Sequence, residues 1–281
     1  MQPGPDILPA GRMPATALCA AMRAAFADYA VPMQPAQAAF DDMMRQRGLD
    51  PAASRVALDG DAIVAIWLVA RRGSESYLVA SGTVPSHRGT GLARALAHSS
   101  IEALRTAGAR RVSTEVMDGN APAQALYRSL GMEEVRRLAC FAWPEGAGAG
   151  PEAARVRRWS DLAVDAGRFA DWPPSWQNDD ASLLAIEDRL TGLSVEEDGT
   201  PVGVAAVLAN GTLGRIAVRP DRRRRGIGTA LVRAARARGA ASGLRLVNAD
   251  AADAGFAAFV AATGARPTVG QLELAMDLAP A

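Results

Sequence analysis

The chain has 281 residues, 49% of them apolar, enough to bury two cores of ordinary domain size. Its 31 basic and 30 acidic residues nearly cancel, so the overall charge points to neither nucleic acid nor an anionic membrane. No lysine occurs, which excludes a Schiff-base mechanism and self-acetylation at a lysine side chain.

Two histidines, His87 and His98, and two cysteines, Cys19 and Cys140, are too few for a Cys/His zinc site, and no metal is expected. So few cysteines suit a reducing compartment better than a disulfide scaffold. The opening MQPGPDILPAGRMPA lacks the charged and apolar regions of a signal peptide. No apolar run reaches the ~20 residues of a membrane span. A soluble, cytoplasmic protein is the expectation.

In chain order, residues 1–14 read as a disordered lead. Helical spacing of Ala, Met, Phe and Leu predicts helices over about 15–29 and 36–46, broken at Pro32 and Pro35 and closed by Gly48 and Pro51. Apolar runs at 55–58 and 62–70 flank Asp59-Gly60-Asp61 and predict a hairpin; 76–84 follows as a strand. The next helix carries Leu92, Leu96, Ser100 and Leu104 on one stripe and ends near Gly108. A strand over 111–117, a helix over 120–130 capped by Gly131, and an extended 133–143 complete this half.

The stretch 144–153, PEGAGAGPEA, reads as a linker. Beyond it the order repeats, with a helix-capable 153–169, a WPPSWQN loop and a helix over 181–190. A 195–208 hairpin turning at Asp198-Gly199 comes next. A strand over 212–218, a helix over 227–238, a strand over 244–249, a helix over 253–263 and a closing strand over 266–278 finish the chain. The fold class expected is α/β, a mixed sheet with helices on both faces, in two domains at 15–143 and 153–281 joined by 144–152.

One stretch occurs twice. TVPSHRGTGLARAL at 83–96 matches VRPDRRRRGIGTAL at 218–231 without a gap. Pro85 falls on Pro220, Arg88 on Arg223, Gly91 on Gly226 and Leu96 on Leu231, all 135 residues apart (220 − 85). Each copy links an apolar strand to an amphipathic helix. Glycines there let an anion approach the backbone, and the helix N-terminus offers N–H groups and positive potential. Such a turn reads as a site for a phosphorylated ligand. Arg222, Arg223, Arg224 and Arg225 could also suggest a nucleic-acid patch, but their place inside this turn favours one small phosphate ligand.

These residues resemble the acyl-CoA loop of the GNAT superfamily of N-acetyltransferases, Arg/Gln-x-x-Gly-x-Gly/Ala preceded by Val-x-Pro. The first copy departs from it in having Thr83 for Val. The resemblance covers about 15–143 and 153–278 and implies two tandem GNAT-like domains and acetyl-CoA as cofactor. It places the coenzyme against Thr83, Val84, Arg88, Gly89, Thr90, Gly91, Leu92 and Ala93. In the second half the matching positions are Val218, Arg223, Arg224, Arg225, Gly226, Ile227, Gly228 and Thr229. Asn120-Ala-Pro-Ala-Gln-Ala-Leu-Tyr127 ending at Gly131 is similar to the family motif whose Tyr gives a proton to the leaving sulfur. That makes Tyr127 the candidate general acid and Asn120 either a pantetheine contact or simply a helix cap.

Matching Gly264 to Gly131 puts Val260 in place of Tyr127, and valine donates no proton. The first half is therefore the expected catalytic one. Glu115 is its candidate base, beside the reading that it is a rim carboxylate paired with an Arg. Asp28 and Tyr29 could steer a cationic amine, although aromatic loops also pack against sheet edges. The acceptor is expected to be a small-molecule or peptide amine, with no nucleic acid and no membrane as partner. Two copies in one chain are compatible with a monomer. Two other readings stay open, a non-catalytic acyl-CoA sensor and an enzyme whose active site lies in the second half.

Overall fold

The structure, a computed structural model, describes residues 5–29, 33–144, 154–238 and 243–279. The chain forms two compact units. Unit 1 comprises Met1–Val116, Asn120–Val135 and Glu273–Ala281; unit 2 comprises Met117–Gly119 and Arg136–Leu272. The units cut across the sequence repeat, because 136–142 stands in unit 2 and 273–277 in unit 1. Of the expected linker, only Pro144 lies within the described residues.

The elements of the first repeat are β1 (Asp6–Pro9), α1 (Ala15–Ala25), α2 (Gln37–Arg47), β2 (Arg55–Asp59), β3 (Ala62–Arg72), β4 (Glu75–Thr83), α3 (Leu92–Thr106), β5 (Arg111–Met117), α4 (Ala121–Ser129) and β6 (Glu133–Ala142). The lead expected to be disordered contains β1, which pairs antiparallel with β2. Successive neighbours from β1 to β4 are antiparallel, and β4 runs parallel to β5. On one face Leu18, Met22, Phe40 and Met44 from α1 and α2 pack on Ile66, Leu68 and Ala80. Each such side chain contributes roughly 1.5–3 kcal/mol by leaving water. Helix α2 stops at Gly48, whose φ of 75° allows Leu49 N–H to reach the Met44 carbonyl.

The second repeat supplies β7 (Arg155–Arg157), α5 (Ala163–Phe169), α6 (Asp180–Ala185), β8 (Leu190–Glu197), β9 (Thr200–Leu208), β10 (Thr212–Val218), α7 (Ile227–Arg238), β11 (Arg245–Asp250), α8 (Ala254–Ala262) and β12 (Arg266–Asp277). Two expectations need correcting. Within the helix expected over 153–169, Arg155–Arg157 is a strand on β8, because its backbone completes that sheet edge. The helix expected over 181–190 ends at Ala185, and Leu190 already begins β8. The Asp198-Gly199 turn has φ of 50° and 76°, as a tight hairpin with two left-handed residues requires. In unit 2, β6 pairs antiparallel with β11, β11 parallel with β10, and β10, β9, β8 and β7 follow antiparallel. Among the described residues no helix is long and apolar enough to cross a membrane.

Helix α7 lies so close to β9 that Gly203 has no room for a side chain. A methyl there would run into Ile227 and come within 3.2 Å of Leu231. Gly203→Ala should therefore cost about 1–3 kcal/mol through overpacking, read as a lower denaturant midpoint in urea unfolding.

Candidate functional site

In each unit a parallel pair of strands separates after a few residues. β4 and β5 are matched only at Glu75–Arg111, Ser76–Val112 and Tyr77–Ser113; β10 and β11 only at Thr212–Arg245 and Leu213–Leu246. Just past the pairing, β4 and β10 each carry a bulge. Val79 has no opposite number between Leu78 and Ala80, nor has Gly214 between Leu213 and Arg215. The two bulges are the same 135 residues apart as the two loops. A gap with the anion loop at its mouth therefore occurs in both units.

The loops are built alike. Gly91 caps α3 with φ 86° and no side-chain hydrogen bond, and Gly226 precedes α7 with φ 83°. Nothing stands within 4 Å of where a Cβ would lie at Gly89, Gly91 or Gly226. This open backbone concavity at a helix N-terminus fits a pyrophosphate. The arginines expected to supply charge there are committed elsewhere. Arg88 donates from Nε to the Thr83 carbonyl at 3.0 Å, from Nη2 to the Ala25 carbonyl, and from both Nη atoms to Asp28 at 2.7 Å. Arg223 repeats this arrangement with the Val218 carbonyl, the Phe169 carbonyl and Asp171. Both guanidiniums clamp the end of the preceding helix to the strand. Arg88 in turn holds the Asp28 carboxyl below its usual range, so Asp28 is part of this clamp. In unit 2 the exposed Arg224 and Arg225 make no hydrogen bond or ion pair among the described residues.

Tyr127 is 6% exposed, stacks edge-on against Trp67, and shares a 2.8 Å hydrogen bond with the Ser81 hydroxyl on β4. Burial, with Tyr29 nearby, pushes its hydroxyl up to about 12, while the Ser81 bond opposes the shift. Asn120 does cap α4, its side chain accepting from Ala123 N–H at 3.2 Å, and its Nδ2 donates to the Tyr29 hydroxyl at 3.2 Å. Tyr29, Asn120 and Tyr127 thus gather at one end of the gap. Glu115 accepts a short hydrogen bond from the buried Tyr77 hydroxyl, whose pKa burial raises well above the usual value. Tyr77 shares its sheet face with Ala80, under α1 and α2, whereas Ser81 points to the α4 face. Glu115 and Tyr127 therefore flank the gap from opposite faces. His87 bonds Ser86 and Asp59, and Cys140 bonds Asn248; neither forms a Cys–His pair.

Unit 2 contains a cleft of about 850 Å³ lined by Arg224, Gly226, Ile227, Gly228 and Thr229 of the loop and by Trp172, Asn178, Arg215 and Asn248. Its α8 ends as α4 does. Gly264 takes φ 90°, and Ala265 N–H bonds the Val260 carbonyl just as Met132 N–H bonds that of Tyr127. Strand pairing matches Ser113 to Arg245, and a bulge between Leu246 and Ala249 adds one residue to β11, so Val247 and Asn248 together stand where unit 1 has Glu115. Sequence reasoning overlooked Asn248 and Arg215, although a charge inside the apolar strand TLGRIAV was a visible signal.

Arg224 holds φ at 62°, where unit 1 has Gly89 at 75°. A left-handed non-glycine residue is strained by roughly 1–2 kcal/mol. Arg224→Gly should therefore stabilise unit 2 by about 1 kcal/mol, visible as a raised urea midpoint, after the entropy of glycine offsets part of the gain.

The GNAT acetyltransferase family matches residues 19–132 and again 155–259. A Bacillus subtilis (strain 168) protein named as a ribosomal protein bS18-alanine N-acetyltransferase is 32% identical over 88 residues. That match covers 30% of this chain and 56% of the relative, so the chain spans little more than half of its length. A solved structure named as an acetyltransferase from Pyrococcus horikoshii has a TM-score of 0.75 at 13% identity, covering 100% of this chain and 91% of its own. A tandem GNAT protein from the clavulanic acid biosynthesis pathway has a TM-score of 0.69 at 16% identity, covering 99% of each chain. At such identities the structural likeness is one of fold. With both repeats matched by one family and the two anion loops built alike, the chain belongs to the GNAT acetyltransferase family as a tandem pair.

Proposed function

We propose that the chain moves an acetyl group from acetyl-CoA to a primary amine, with the chemistry in unit 1. The observation that carries this reading is Tyr127, a buried phenol kept protonated at the gap between β4 and β5. A proton donor must hold its proton at working pH, and a hydroxyl pushed up to about 12 does so throughout the physiological range.

Acetyl-CoA supplies an activated thioester carbonyl. The backbone N–H groups of Gly89, Thr90 and Gly91 and the first turn of α3 hold its pyrophosphate. The bulge at Val79 frees backbone from the β3 ladder where a polarised carbonyl oxygen needs a donor. Asn120 fixes the start of α4 and the Tyr29 hydroxyl together, which orients the helix that carries Tyr127. An amine arriving from the α1–α2 face would find Glu115, held by Tyr77, and the sulfur would leave toward Tyr127. Base and acid then lie on opposite sides of the reacting carbon, as direct attack needs. The acceptor is a small molecule or a peptide N-terminus. The relative's name makes a peptide beginning with alanine the first acceptor to try.

Tyr127→Phe should lower kcat by about 10²–10⁴-fold and leave acetyl-CoA affinity nearly unchanged, measured as CoA release with an amine panel and by calorimetry. In the parent chain kcat should not decline between about pH 8 and 10 through loss of this proton. An unchanged kcat in the Phe variant would remove Tyr127 from the mechanism.

A further inference from the structure

Unit 2 buries polar groups whose hydrogen-bonding capacity is only partly used within the unit. Arg215 follows the Gly214 bulge on β10 and is 8% exposed, whereas Ala80 fills the matching place in unit 1 within an apolar cluster. Of its five N–H donors, one goes to the Asn178 carbonyl at 3.2 Å and one to the Ala166 carbonyl at 3.5 Å. Among the described residues it has no carboxylate within ion-pair distance. Asp180 and Asp179 act on it from further away, and Asp180 does not line the cleft. Burial lowers its pKa first of all, against the pull of those two carboxylates. Its charge is under-compensated.

Asn248, on β11, lines the same cleft, 3% exposed and at φ 60°. Its Oδ1 accepts from Gln271 Nε2 at 2.8 Å and from Cys140 Sγ at 3.7 Å, which turns Nδ2 the other way. That Nδ2 is buried and has no partner. A buried donor left unmade is costly, and a ligand in the cleft could take its hydrogen bond. Both residues line the 850 Å³ cleft together with the aromatic rings of Trp172, Phe256 and Phe259. Asn178 lines it too, its Nδ2 donating to the Val247 carbonyl at 2.8 Å.

We propose that the inner end of the unit 2 cleft binds a carboxylate-bearing small molecule, with the Arg215 guanidinium and the Asn248 amide as donors and the aromatic wall around its apolar part. A planar guanidinium can meet both oxygens of a carboxylate with two parallel N–H donors. The carboxylate could end a dicarboxylic acyl chain on coenzyme A or belong to a separate N-acyl amino acid. The inference is independent of which amine unit 1 acetylates. Val260 in place of Tyr127, and no carboxylate at Val247 or Asn248 where unit 1 has Glu115, suit unit 2 to holding this ligand rather than turning it over.

Calorimetric titration of the full chain tests it with three probes. If the carboxylate sits on the acyl chain, succinyl-CoA binds more tightly than acetyl-CoA, and Arg215→Gln erases an advantage of roughly a hundredfold. If it belongs to a separate molecule, N-acetyl-phenylalanine binds in the presence of CoA and loses roughly a hundredfold in Arg215→Gln. Asn248→Asp keeps the oxygen that Gln271 and Cys140 use, tolerates the left-handed backbone, and replaces the donor by a negative charge. It should weaken the same probe roughly tenfold or more, and it decides the matter if Arg215→Gln does not fold. The proposal is wrong if neither carboxylate probe binds the parent chain, or if the folded variants bind both as the parent does.

Discussion

Two parallel strands that pair for only two or three residues before parting are the constraint behind this molecule. Beyond the last matched pair, the facing edges of β4 and β5, and of β10 and β11, can no longer satisfy each other's backbone groups. Something else must cross or fill each gap. In unit 1 the Tyr127–Ser81 bond crosses from α4 to β4, and Asn120 reaches Tyr29 at the gap's end. In unit 2, Asn178 and Arg215 cross instead, and a cleft remains. The same break in pairing thus yields a buried phenol in one unit and a buried cation in the other.

The mouth of each gap depends on an arginine that need never touch a phosphate. Arg88 and Arg223 tie strand end to helix end through one backbone carbonyl on each side and one carboxylate. Lysine, whose three donors sit on one nitrogen, could not span these contacts at once. With the clamp closed, the glycine backbone and the helix N-terminus are left as the anion donors. The second loop adds the exposed Arg224 and Arg225 at a price in backbone strain that Gly89 avoids.

The repeat itself made much of this legible. The spacing between Pro85 and Pro220 holds for the bulges at Val79 and Gly214 and for the clamp arginines Arg88 and Arg223, and shortens by two residues at the matching helix ends Gly131 and Gly264. The family, the tandem fold and the loops followed from those residues. What the sequence concealed was partnership. Arg88 and Asp28 lie far apart in the chain, so their mutual neutralisation could not be read from either motif. Arg155–Arg157 is a strand only because β8 offers an edge, and no local periodicity announces that. The terminal segments likewise end up in the compact unit of the other repeat, a choice made by tertiary pairing alone.

The most direct test of the central claim is the number of acetyl-CoA molecules bound per chain in a calorimetric titration, for the parent and for Gly91→Val and Gly226→Val. Two equally built loops predict two sites, one lost in each variant, with acetyl transfer lost only in Gly91→Val. A single site that survives Gly91→Val and disappears in Gly226→Val would contradict the account and move the chemistry to unit 2.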